Sequence, residues 1–294
     1  MILITGATGF VGPRIVHALR AESRPVRVLV RDEAAGEQLR NLGCETVVGD
    51  MTDPASLRRA VEGCDTIIHL VGLLTGKPED FERVMSQGTR DLVAAANDEG
   101  VRRFILMSAL GIDERTKDLV PYYRAKWEME QTVKTSGLEH VIFRPSFIFG
   151  PGGGALAQFR RIAKLAPVTP IIGPGTQRIQ PIWIDDVAAY FAAAVDKPEV
   201  ANRTFELGGP DIVTWNEFWS RLKQALGTRR PSVHLPFGLM RIQAAVLERL
   251  PKPPVTREQL TMLEAGDNVV SNTDAVDTFG LPVVTLDEQL RRSV

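Results

Sequence analysis

The sequence is poor in residues that build covalent or metal-held scaffolds. It has two cysteines, Cys44 and Cys64, and four scattered histidines, His17, His69, His140 and His234. No disulfide framework and no metal-ligand spacing can be assembled from these, and both thiols read as small buried side chains near strand ends. Neither sign of charge is in excess: 35 Lys plus Arg stand against 36 Asp plus Glu, a net charge of −1. The densest basic groups are pairs such as Arg102–Arg103 and Arg229–Arg230. A face that tracks nucleic acid needs a basic excess, so that class of partner is excluded. No apolar run approaches the ~18 residues of a membrane span. Met1 opens directly into the strand-like ILITG, which leaves no room for a signal peptide. These absences predict a reduced, cytoplasmic or membrane-peripheral protein.

Proline is scarce in only one half. Five of the 19 prolines precede residue 145 and fourteen lie at or after it. Proline disrupts helix interiors and central strands, so the first half should be regular and the second broken into short pieces. The 294 residues allow one large domain or two small ones. The first half alternates as expected. ILITG (2–6), VRVLVR (26–31), ETVVGD (45–50), DTIIHLVG (65–72), RFILMS (103–108) and VIFRP (141–145) read as strands. Between them, helical spacing marks 10–21, 34–42, a short helix from Pro54, 79–98 and 122–135. Strands alternating with helices, and strands that are apolar almost throughout, predict a doubly wound, Rossmann-like parallel sheet covered on both faces. Residues 1–150 form this core. Residues 151–294 should return strands near 178–183 and 203–207, with a helix at 186–195, to the same sheet. The rest of that half, punctuated by GPGGG (150–154), GPG (173–175), LGGP (207–210) and PKPP (251–254), should build a smaller, mostly helical cap.

Three groups of residues carry chemistry. The first strand runs into TGATGFVG (5–12), with glycines at 6, 9 and 12 ahead of a helix. Gly6 permits a tight turn, Gly9 lets the backbone approach a pyrophosphate, and Gly12 allows close packing of helix on strand. The helix N-terminus turns its free N–H groups and positive dipole end toward the phosphates. At the end of the second strand stands Arg31, whose guanidinium suits a ribose 2′-phosphate; NADP(H) is favoured, while Asp32 keeps NAD(H) open. Asp50 and Met51 close the third strand, where a carboxylate can accept from the adenine amino group and Met51 can cover the ring. The alternative for Asp50 is a helix or turn cap.

Ser108 ends the fifth strand, and Tyr122 and Lys126 follow in PYYRAK, one helical turn apart on a shared face. A free phenol titrates near pH 10, about three units too high for a base at neutral pH. A neighbouring ammonium and an oxidised nicotinamide would favour the phenolate. Tyr122 is then the acid/base, Lys126 its tuner and ribose ligand, and Ser108 the orienter of the substrate oxygen. Tyr123 has no lysine at its helical partner positions. Asp185–Asp186 reads as an acidic helix N-terminus and not as a paired-carboxylate site. Residues 237–250 form a strongly apolar helix that either packs on the cap or meets a membrane surface, a partner or a greasy substrate such as a quinone or isoprenoid.

TGATGFVG, GDMTD, HLVG, Ser108, Tyr122-x-x-x-Lys126 and VIFRPSFIFGPGGG together resemble the extended or atypical short-chain dehydrogenase/reductase superfamily. QPIWIDDVA (180–188), TFELGGPDIVTWNEF (204–218) and PKPPVTREQLTMLEAGDNVV (251–270) resemble the nucleotide-binding accessory subunit of respiratory complex I and its free-standing bacterial relatives. The resemblance implies that Gly6, Thr8, Gly9, Phe10 and Gly12 embrace the pyrophosphate, and that Leu70, Val71 and Gly72 line the riboses. It further implies that Pro145, Ser146 and Phe147 meet the carboxamide end. It leaves two functions open: an NADP(H)-dependent oxidoreductase acting on a carbonyl or alcohol, or a nucleotide-binding accessory without turnover. Met85 stands where many relatives carry an asparagine, and Ala109–Leu110 replaces the acidic pair of sugar-nucleotide dehydratases.

Overall fold

A computed structural model describes residues 1–248 and 255–293; the PKPP stretch and the last two residues of the apolar 237–250 segment lie outside the described residues. The chain divides into two compact units. The first is built from residues 1–145, 184–207 and 272–282, and the second from 146–183, 208–271 and 283–294.

The first unit holds seven strands: β1 (Ile2–Thr5), β2 (Val26–Val30), β3 (Glu45–Val48), β4 (Thr66–His69), β5 (Arg103–Met107), β6 (Glu139–Pro145) and β7 (Arg203–Leu207). They form one sheet in the order β7-β6-β5-β4-β1-β2-β3, every neighbour parallel. Both faces are covered, which is why β1 and β4 are buried at every residue. The connecting helices are α1 (Gly12–Ala21), α2 (Glu33–Asn41), α3 (Pro54–Val61), α4 (Gly88–Asp98), α5 (Pro121–Lys134), α6 (Ile184–Ala193) and α7 (Asp274–Phe279). Helix α1 buries Ile15, Val16 and Leu19 as its spacing requires, each contributing about 1.5–3 kcal/mol. Asp32 and Asp53 cap α2 and α3 by accepting from the N–H groups of Ala35 and Ala55. The expected long helix at 79–98 is present but not uniform: residues Phe81–Gln87 are wound as a π-helix before α4 begins.

Two buried clusters explain how the later stretches join. Arg103 is 1% exposed at the start of β5. Its guanidinium donates to the carbonyls of Ala194, Val195 and Lys197, at and just beyond the C-terminus of α6, and to the Glu139 carboxylate. A helix end whose carbonyls would otherwise be buried without partners is thereby satisfied. Phe143 of β6 meets Tyr190 and Phe191 of α6, Phe205 of β7 and Phe279 of α7, with ring centroids 4.8–6.2 Å apart.

The second unit corrects the expected return of residues 178–183 to the main sheet. Arg178–Ile179 pairs antiparallel with Val213–Thr214, and Ile182–Trp183 pairs parallel with Ile148–Phe149. Pro181 lacks an N–H and splits the stretch into two dipeptides, so it cannot be one ladder strand. A third pair, Thr169–Ile172 with Ser232–Leu235, is parallel. Around these pairs lie helices Gly154–Leu165, Trp215–Ala225, Phe237–Leu247, Arg257–Glu264 and Leu286–Ser293. In Phe237–Leu247, Met240 and Ala244 pack on Leu260, whereas Leu239, Ile242 and Val246 are exposed. Among the described residues no helix is long and apolar enough to cross a membrane.

Candidate nucleotide-binding and catalytic site

The strand order reverses between β1 and β4, so their C-terminal ends define the crevice where ligands bind in such sheets. The chain leaves β1 through Gly6, whose φ is +76°. A Cβ there would stand 3.1 Å from the backbone of both Leu70 and Val71, so the turn and the close approach of the two strand ends each demand glycine. Gly12 opens α1, and a Cβ on it would lie 2.4 Å from the Ala7 carbonyl oxygen. Gly9 differs. It is exposed, its N–H donates to the Gly6 carbonyl, and an added Cβ would meet only that oxygen, at 3.2 Å. Two glycines therefore shape the loop and the third keeps its outer side bare. Thr8 is exposed and Phe10 half-buried on the same loop. Unlike α2 and α3, α1 has neither a side-chain cap nor an acidic residue in its first turn. Its N-terminal N–H groups and dipole are left for an anion.

Below this loop a polar chain ties the crevice together. The Thr5 hydroxyl lies 2.6 Å from His69 Nδ1, and His69 Nε2 lies 3.1 Å from Thr89 Oγ1. Thr89 gives its own proton to the Met85 carbonyl at 2.6 Å, so it accepts from His69 Nε2–H, and Thr5 donates to Nδ1. Burial, helped by the nearby Lys126 charge, holds His69 neutral with a pKa of about 3. Met85 is fully buried, and its sulfur accepts from the Leu73 N–H at 3.3 Å. Met85 is thus spent on packing and on one loop contact.

Lys126 is 2% exposed, and its Nζ donates to the Met107 carbonyl at 2.7 Å and to the Val71 carbonyl at 3.3 Å. The ammonium therefore stands at the ends of β4 and β5, where a Cβ on Gly72 would reach within 3.3 Å of it. Burial lowers its pKa to about 7, against the opposing pull of Glu130. Tyr122, one turn earlier, sets its ring edge-on to Phe81 with centroids 6.5 Å apart. Its hydroxyl makes no hydrogen bond among the described residues, and its pKa is raised, first by burial and then by Tyr123. The expected depression of the phenol is not supplied by the chain's own charges, because Lys126 is drawn toward the strand ends.

Ser108 departs from its expected part. Its hydroxyl donates at 2.6 Å to Oε1 of Glu130, a fully buried carboxylate. That leaves no free proton for a substrate carbonyl. Arg144 grips both oxygens of the same carboxylate, at 2.8 and 2.6 Å, and Lys134 adds a contact at 3.0 Å. Burial works against ionisation of Glu130, but the Arg144 bonds outweigh it and hold its pKa below the usual range. Glu130 and Arg144 were missed in the sequence, although an arginine inside the apolar strand VIFRP required a buried partner.

At the nucleotide end, Arg31 is exposed and makes no hydrogen bond or ion pair among the described residues. Asp32 is committed to its helix cap. Asp50 is half-buried; burial raises its pKa, and bonds from the Thr52 N–H and hydroxyl more than reverse this. Met51 is 5% exposed, and a Cβ on Gly88 would lie 2.9 Å from its carbonyl oxygen, so it belongs chiefly to the core. Leu70 is buried, its N–H bonded to the Thr5 carbonyl; Val71 is half-buried and Gly72 exposed. Pro145 ends β6 in the first unit. Ser146 and Phe147 open the second, where the Ser146 hydroxyl bonds Asn268 at 2.6 Å and Phe147 lies edge-on to Trp215. Asp185 and Asp186 sit in the first turn of α6, as expected of an acidic helix start, and Asp185 pairs with Arg14.

A glycine loop at the reversal of a parallel sheet, an uncapped helix behind it and a buried lysine at its far side fit a dinucleotide. A family model described as NAD(P)H-binding matches residues 6–198. The chain belongs to that NAD(P)H-binding family. It is 32% identical over 237 residues to a ceramide reductase of Caulobacter vibrioides, covering 80% of this chain and 74% of that one. It is 31% identical over 273 residues to the (4-alkanoyl-5-oxo-2,5-dihydrofuran-3-yl)methyl phosphate reductase of Streptomyces griseus, covering 90% and 86%. The mitochondrial NADH dehydrogenase [ubiquinone] 1 alpha subcomplex subunit 9 of Arabidopsis thaliana is 28% identical over 82% of this chain and 62% of its own length. Among solved structures, the NADPH-dependent quinone oxidoreductase QOR2 of Escherichia coli complexed with NADPH shares the fold, with a TM-score of 0.79 at 20% identity over 99% of this chain and 98% of that one. The family's relatives thus include named reductases and a complex I subunit.

Proposed function

We propose that this protein is an NADP(H)-dependent oxidoreductase that acts on the carbonyl or alcohol of an apolar small molecule. The observation that carries the reading is the placement of Lys126 Nζ at the ends of β4 and β5, on the same crevice as the glycine loop, with the unbonded Tyr122 hydroxyl one helical turn away. Gly6, Gly9, Gly12 and the α1 N-terminus hold the pyrophosphate. Arg31 takes the 2′-phosphate, an assignment supported by the commitment of Asp32 to capping α2. Bound in the crevice, the nicotinamide supplies the hydride. Tyr122 exchanges the proton with the substrate oxygen, and Lys126 orients the ribose. Ser108 is not in this scheme, because its proton belongs to Glu130. Relatives named for alkanoyl-furan and ceramide reduction favour a substrate with an aliphatic portion.

The committed Ser108 hydroxyl and the raised Tyr122 pKa favour a second reading, a nucleotide-binding accessory that performs no turnover. One experiment separates the two: NADPH consumption with a panel of aliphatic ketones, aldehydes and quinones, repeated with Tyr122→Phe. Consumption abolished by the substitution, with NADPH affinity retained, supports the enzyme. Tight, stabilising NADPH binding with no consumption on any panel member selects the accessory.

A further inference from the structure

The Glu130 carboxylate is placed where stability alone gives no reason for it. It lies one turn beyond Lys126 on α5 and is fully buried. Burying a carboxylate costs several kcal/mol unless it is paired, and apolar residues of similar volume would serve the core as well. Its bonds follow a pattern. Ser108 and Arg144, which it holds, are the residues at the ends of β5 and β6, and the Ser108 N–H donates to the Phe143 carbonyl at 2.7 Å. The residue before Ser108 is Met107, whose carbonyl receives Lys126 Nζ. Two side chains one turn apart on α5 are thus clamped to two consecutive residues at the C-terminal end of β5, Lys126 to Met107, its last residue, and Glu130 to Ser108, which follows it.

We propose that Glu130 is the positioning residue of Lys126: it fixes the strand ends against which the ammonium is held and supplies its counter-charge, keeping it cationic for the nucleotide. This rests on the reading that a dinucleotide binds beside Lys126. The groups that act on the ammonium are Glu130 on its own helix, neutral His69 on β4, and the carbonyls of Met107 and Val71. Glu130 is the one anion among them, and it is itself held by Arg144 and Lys134. Removing its charge withdraws the anion and leaves both cations uncompensated, so each change makes the charged form of Lys126 less favourable.

The test is a pH titration of the free protein carrying lysine labelled with carbon-13 at Cε, with Lys126 assigned through Lys126→Met, alongside NADPH titrations at several pH values. Glu130→Gln is expected to move the Lys126 midpoint down by about one pH unit or more, and to move the loss of NADPH affinity on raising pH down with it. Ser108→Ala removes the bond to the strand end but no charge, and is expected to shift the midpoint less than Glu130→Gln does. The double variant Glu130→Met with Arg144→Met removes the buried pair without orphaning a charge, and is expected to shift the midpoint downward too. An unchanged midpoint in Glu130→Gln, or an equal shift in Ser108→Ala, overturns the proposal. So does failure of both Glu130 variants to fold, which would assign the cluster to stability alone. A midpoint that shifts in free protein that binds no NADPH upholds the pairing and overturns the dinucleotide reading instead.

Discussion

Gly9 and Gly12 stand three residues apart in one motif, and alanine at each should fail differently. At Gly12 the added methyl would sit 2.4 Å from the Ala7 carbonyl oxygen and 2.5 Å from the Ala7 carbonyl carbon and Cα. Non-bonded heavy atoms rest about 3.5–4.0 Å apart, so α1 would have to retreat by about an ångström. The obstruction is all backbone and cannot rotate away. Overpacking of this kind costs roughly 1–3 kcal/mol, and Gly12→Ala belongs at the upper end of that range. At Gly9 the methyl meets only the Gly6 carbonyl oxygen, at 3.2 Å. Glycine-to-alanine changes at compatible positions alter stability by about 1 kcal/mol or less, often favourably. The same methyl, however, occupies the bare outer side of the loop. Losing one N–H bond to a charged phosphate removes about 1.5–3 kcal/mol, or roughly ten- to a hundredfold in NADPH affinity. Urea denaturation followed by circular dichroism and NADPH fluorescence titration read the two effects separately. Gly12→Ala unfolding at the wild-type urea concentration, or Gly9→Ala binding NADPH within twofold of wild type, would refute the division of roles.

Other outcomes are equally open to measurement. Exchanging Arg31 for aspartate should shift preference from NADPH toward NADH by tenfold or more; parallel titrations check this, and an unchanged ratio removes Arg31 from the 2′-phosphate site. Arg103→Met strips the donors from three carbonyls at the end of α6 and orphans part of Glu139. Each buried carbonyl left without a donor should cost about 1–3 kcal/mol, and a total loss under ~1 kcal/mol by urea denaturation would contradict the clamp. His69 has a folded pKa of about 3 against an ordinary 6.5, so between those values the unfolded chain binds a proton that the folded chain does not. Its contribution is fully present above pH ~6.5 and falls by about 1.4 kcal/mol per unit below it. Stability measured from pH 7 to 5 should show this slope, and His69→Gln should flatten it.

Much of the first unit was readable because its signals are local. Strands such as TIIH and helices such as Gly12–Ala21 carry their own period, and the glycine loop declares its function by standing between them. The errors concern partners far away in the chain. Residues 178–183 look like one strand until Ile148–Phe149 and Val213–Thr214 claim its two ends. Nothing in DAVDTF announces that Phe279 completes an aromatic cluster around Phe143. The same holds at the site. Tyr122 and Lys126 are legible from spacing, but the diversion of Ser108 depends on Glu130 and Arg144, and only the folded sheet brings those three together.

The first unit's division into three stretches of chain bears on its birth at the ribosome. After β6 has been made, its outer edge has no neighbour until β7 is complete at Leu207, and Phe279 arrives 136 residues after Phe143. At about 5–20 residues per second that interval is roughly 7 to 27 seconds. Until Leu207 is made the half-built sheet presents a bare strand edge, a template for pairing with other chains, and its aromatic face stays open until Phe279 arrives. Slowing translation after residue 145, or halting it before residue 279, should therefore increase dependence on chaperones without altering a single contact of the finished protein.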